Sequence, residues 1–88
     1  MSSYSDLKEA ITKLIDYPLE EWRITQLSAE LCFKHLDKYD AEGRPSPKMF
    51  IEDEGVTLTW ETGDWKIYQH FLSDGSGNEF YCFWKKNG

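Results

Sequence analysis

The sequence predicts an α+β domain, with two N-terminal helices packed on one face of a three- or four-stranded antiparallel meander. Three observations lead to this class. Up to about residue 39, apolar side chains recur at intervals of three and four. From about residue 49 they alternate singly with polar ones. The breaks between the alternating runs, "TGD" and "SDGSGN", are of hairpin length, so successive strands reverse direction.

The first helix is expected over about residues 5–17. Ser5 supplies a capping hydroxyl, Asp6 and Glu9 suit the positive end of the helix dipole, and Leu7, Ala10, Ile11, Leu14 and Ile15 form one apolar stripe. Tyr17 precedes Pro18 and is pushed out of the helical region, which ends the helix. Pro18, Glu20 and Glu21 then suit the start of a second helix, expected over about residues 20–39, with Ile24, Leu27, Leu31, Cys32, Leu36 and Tyr39 on a broad apolar face. Ser28 and His35 fall within that face and need hydrogen-bond partners if buried. "DAEGRPSP" breaks helical structure and carries the chain to the sheet. Strands are expected over about residues 49–52, 55–61, 65–72 and 79–84, and Lys85 to Gly88 as a frayed tail.

Eighty-eight residues suit one domain spanning the whole chain. A chain of this size withdraws only about two-thirds of its unfolded surface from water. Four Trp, five Tyr and five Phe compensate, since each large ring buries on the order of 150–250 Å². Cys32 and Cys82 allow at most one disulfide, and "MSSYSDLKEA" lacks the charged region and apolar core of a secretory signal. The expectation is a cytoplasmic protein with free thiols. No apolar run reaches the roughly 20 residues that cross a bilayer, so no membrane partner is expected. A formal charge of −6 repels a phosphate backbone, so no nucleic-acid partner is expected, while a basic protein would be attracted.

The last two strands carry apolar residues on both faces. Trp65, Ile67 and Phe71 share one side with Gln69, and Tyr68, His70 and Leu72 share the other with Lys66. Phe80, Cys82 and Trp84 likewise oppose Tyr81 and Phe83. Two helices cover about one face of a short sheet, so Tyr68, His70, Tyr81 and Phe83 are expected on an outer aromatic patch, with the acidic turn Glu52, Asp53 and Glu54 beside it as the remaining partner-binding candidates.

The stretch "EDEGVTLTWETGDWKIYQHFLSDG" resembles small uncharacterised bacterial and phage-borne proteins that share an acidic-Gly turn, an apolar-x-Leu-x-Trp strand, a short turn, an alternating strand and Asp-Gly. The matching positions are Asp53, Gly55, Val56, Leu58, Trp60, Ile67, Phe71, Asp74 and Gly75, about a quarter of the chain. Gln69 stands where that pattern has an aliphatic residue, and Glu54 where it has one Gly of a pair. The resemblance carries no catalytic residue and implies an accessory factor that binds.

Other chemistries fit the residues less well. Cys32, His35, His70 and Cys82 are one possible zinc set, but their spacing matches no standard module and alternation sends His70 and Cys82 to opposite faces, so no metal and no cofactor are expected. Ser28, Cys32 and His35 lack an orienting carboxylate, so no catalytic residue is assigned. Asp37, Asp40 and Glu42 before Gly43 lack the ligand spacing of a calcium loop. The expected function is a small non-enzymatic protein–protein interaction module whose partner is another protein or a second copy, self-association running through the sheet. The alternative is an acidic inhibitor or antidote, such as an immunity, anti-defence or nucleic-acid-mimicking protein, that blocks a basic partner.

Overall fold

The computed structural model describes residues 4–84. Its elements run α1 (Tyr4–Leu14), a single 3-10 turn (Glu20–Trp22), α2 (Gln26–Ala41), β1 (Lys48–Glu52), β2 (Gly55–Thr62), β3 (Trp65–Phe71) and β4 (Asn78–Trp84). The strands form one antiparallel meander in the order β1-β2-β3-β4. The α+β class is therefore as the periodicity predicts, with four strands. The tail from Lys85 onward lies outside the described residues.

The helical half departs from expectation. The first helix has already begun at Tyr4, so Ser5 lies inside it rather than capping it, and it stops at Leu14 instead of running to Tyr17. Asp16 takes a left-handed conformation, and the chain becomes extended where Ile15 bridges Ile24 in parallel. The continuous second helix expected from about residue 20 is two pieces. Glu20 to Trp22 make one tight turn, residues 23–25 are extended, and α2 starts where the Thr25 hydroxyl accepts a hydrogen bond from the Ser28 amide at 3.2 Å. Ile24, in the break, is fully buried.

α2 lies against β2 and β3, while α1 packs on α2. Ile11, Ile24, Ala29, Cys32, Leu36, Val56, Leu58 and Phe71 make the centre of the core. Leu27, expected on the apolar face of the second helix, is exposed and lies beside Gly75 of the β3–β4 turn. Ser28 is buried between helix and sheet, donating to the Phe71 carbonyl at 2.9 Å and accepting from the Val56 amide at 3.0 Å. Those two backbone groups belong to the residues one step beyond the last ladder pair of β2 and β3, Thr57 with His70. The helix thus closes the end of the hairpin with a side chain.

Gln69 is buried on the helix-facing side. It accepts from the Tyr39 hydroxyl at 2.8 Å and donates to Asn78 Oδ1 at 3.1 Å. Tyr39 also stands edge-on to Trp60 and under the Arg44 guanidinium. A core amide is tolerated because its hydrogen-bonding groups find partners.

A candidate protein-interaction surface

The face of the sheet turned away from α2 presents Phe50 and Glu52 from β1, Thr57 and Thr59 from β2, Tyr68 and His70 from β3, and Glu79, Tyr81 and Phe83 from β4. The register sets these in rows across the sheet. Phe50, Thr57, His70 and Glu79 form one row, and Lys48, Thr59, Tyr68 and Tyr81 the next. The two small threonines in the second strand form a floor between larger neighbours. The result is a hollow of about 460 Å³ lined by Phe50, Glu52, Thr57, Tyr68, His70, Tyr81 and Phe83.

Ring contacts fix its walls. Tyr68 meets Phe83 edge to face with centroids 5.5 Å apart, and Lys66 Nζ lies 5.4 Å from the centre of the Tyr68 ring. His70 Nδ1 is 2.9 Å from the Thr57 hydroxyl, which holds the imidazole down against the sheet. The Thr59 hydroxyl is buried without a partner. The Tyr81 hydroxyl donates to Glu79 at 3.1 Å, and that carboxylate pushes the phenol above its ordinary range.

A second hollow of about 230 Å³ adjoins the first and shares Glu52, His70 and Tyr81 with it. Its remaining wall brings in Asp53, Asp74 and Glu79. Asp74 accepts from Ser76, whose hydroxyl and amide hold its carboxyl below the usual range, so the group stays charged. The outer face therefore runs from an aromatic half to an acidic half.

Five of the seven sequence-derived candidates, Glu52, Tyr68, His70, Tyr81 and Phe83, meet in the aromatic hollow, and Asp53 meets them in the acidic one. Glu54 does not join them. It points to the helical side, 3.9 Å from Arg23, and lines a separate hollow of about 740 Å³ with Leu19, Glu20, Glu21, Ile51 and Asp53. Two members of the expected outer aromatic patch are less open than the others, since His70 is buried and Tyr68 half-buried among their neighbours on the sheet. Phe50 was not among the candidates. Its alternation with Met49 and Ile51 in a short strand was the available signal.

The helix-facing side of β4 departs further. Phe80, Cys82 and Trp84 are exposed rather than covered. A helix is about 10 Å across and strands lie about 4.8 Å apart, so one helix shields roughly two strands of four. Among the described residues α1 packs mainly on α2 rather than on the last strand.

The four zinc candidates do not converge. Cys32 is buried in the core, His35 bonds the Leu31 carbonyl at 3.0 Å and meets Phe71 edge-on, His70 faces the other side of the sheet, and Cys82 is exposed on β4. Burial pushes the Cys32 thiol up to about 12, the opposite of an activated nucleophile. Ser28 is occupied by two backbone groups. Among the described residues no helix is long and apolar enough to cross a membrane. Comparison of the chain with protein-family models, curated proteins and solved structures finds no match.

Proposed function

We propose that this chain is a small non-enzymatic protein-binding module whose outer sheet face recognises a basic, partly apolar segment of a partner protein. The observation that carries this reading is the pair of adjoining hollows, aromatic and acidic, that share Glu52, His70 and Tyr81. Aromatic faces attract cations as well as apolar groups. A lysine or arginine stem would lie over Phe50, Tyr81 and Phe83 while its charged end reaches Glu52, Asp53 or Glu79. Buried rings supply the energy of such a contact, and the acidic rim sets rate and orientation.

Selection of displayed peptides against the full chain tests this, with a Tyr81→Ala, Phe83→Ala double variant as counter-target. Both rings are exposed in the single chain, so the variant should keep its circular dichroism and a cooperative melting transition. Peptides enriched in Lys or Arg next to apolar residues, which lose at least roughly tenfold in affinity on the variant, are the expected result. Peptides that bind both proteins equally would exclude the outer face.

A second reading rests on a different group of charges. Glu20, Glu21, Asp53 and Glu54 surround the hollow beside the 3-10 turn, a concentration of acid suited to plugging a basic cleft as an inhibitor or antidote does. Binding there would be led by charge, so its association rate would fall steeply between low and physiological salt. Binding at the aromatic groove would show most of its sensitivity in the dissociation rate.

A further inference from the structure

We propose that β4 is the subunit edge of a symmetric dimer, pairing antiparallel with β4 of a second copy so that two meanders join into one eight-stranded sheet. The proposal rests on the protein-binding reading above and names a second copy as a partner at the edge of the same face, sharing Tyr81 and Phe83 with the groove.

β4 ends the sheet, so one side of its backbone has no neighbouring strand among the described residues. Its side chains are open on both faces. Phe80 is 59 % exposed, Tyr81 43 %, Phe83 53 % and Trp84 61 %, with Trp65 at 45 % standing edge-on behind Trp84. A seven-residue edge with no proline and with apolar rings on both sides is a template for another strand. The opposite edge is blunted in the ordinary way. β1 has five residues, Pro45 and Pro47 precede it, and Lys48 and Glu52 stand at its ends.

Charge and area both favour a second copy as the occupant. The chain carries −6 overall, yet residues 80–84 carry no charge, so like charges do not meet along this strand. Half of five large rings, at about 200 Å² each, is roughly 500 Å² per copy and about 1,000 Å² per pair, before the strand backbones are counted. That reaches the roughly 1,000 Å² that a biological interface should clear. A two-fold axis through Cys82 sets Phe80 opposite Trp84 and Tyr81 opposite Phe83, large against large on both faces. Shifting the axis to Tyr81 would set Glu79 against Phe83. The Cys82 register also brings the two exposed thiols face to face, since opposed residues in an antiparallel pair have Cα atoms about 4.5–5.5 Å apart.

The test uses the full chain at about 100 µM and near-neutral pH. Light scattering should give twice the chain mass at both low and high salt, and Phe83→Lys with Trp84→Lys should halve it while the circular dichroism of the monomer fold and a cooperative melting transition persist. Phe80→Lys, on the other face of the strand, is a second route to the same halving. A short bis-maleimide should link two copies through Cys82, Cys32 being buried, and the link should vanish in the lysine variants. A monomer at this concentration, a dimer that survives the lysines, or a dimer that does not cross-link would each overturn the proposal. A monomer that still selects peptides through Tyr81 and Phe83 would leave the groove reading standing.

Discussion

Gln69 is the residue whose surroundings say most about the core. An alternating strand read from sequence places it inward, but its role depends on Tyr39, thirty positions earlier, and on Asn78 across the ladder, and no local pattern announces either. Gln69→Leu fits the apolar surroundings yet strands the buried Tyr39 hydroxyl, and should cost about 1–3 kcal/mol in denaturant unfolding. Adding Tyr39→Phe should recover most of that loss, and a double-mutant cycle would measure the coupling. Cys32 gives a second prediction. Its thiol moves from 9 to about 12 on burial, so the folded state holds a proton that the unfolded chain releases. The stabilisation is complete below pH 9 and is lost as pH rises towards 12, amounting to about 4 kcal/mol at roughly 1.4 kcal/mol per unit. Stability measured from pH 8 to 11 should fall less steeply in Cys32→Ala than in the parent chain.

At the scale of the element, the strands were legible to within about a residue at each end because period two and hairpin turns are local signals. The helices were legible in kind and not in extent. Pro18 followed by two glutamates reads as a helix start, whereas the cap in use is Thr25, held further by its amide to the Glu54 carbonyl and its hydroxyl to the Ser73 carbonyl. Those contacts are long-range and override the local preference. The β1–β2 turn shows the converse. Asp53 and Glu54 both have positive φ, 50° and 59°, as a two-residue reversal between paired Glu52 and Gly55 requires. A glutamate is strained there. Glu54→Gly should therefore raise the unfolding free energy by about 0.5–1 kcal/mol, the relief of strain outweighing the added backbone entropy and the loss of an exposed pair with Arg23. Gly55→Ala should do the reverse, because a Cβ at that position would lie 2.3 Å from the Phe71 carbonyl oxygen.

For the whole molecule, the governing fact is one of width. Among the described residues one helix layer about two strands wide serves four strands, so α2 covers one face of β2 and β3 while β1 and β4 are left more open. The sequence announced surplus apolar surface on the last two strands but not which strand would remain open, since that depends on where α1 settles. In dilute solution, where the chain is a monomer, amide hydrogen exchange should find the slowest amides in α2 and in the middle of β2 and β3, and faster exchange in β4. Slow, concentration-independent exchange throughout β4 would contradict this distribution. The Ser28 hydroxyl finally bears on the order of events during folding. The hairpin of β2 and β3 can zip from the turn at Thr62 and Trp65 on its own, in about 1–10 µs. Its other end closes only when a side chain 28 positions from one backbone partner and 43 from the other arrives. Such a contact forms late, so Ser28→Ala should speed unfolding several-fold in stopped-flow chevrons and leave the refolding limb nearly unchanged. The serine is thus a latch that shuts after the sheet has found its register.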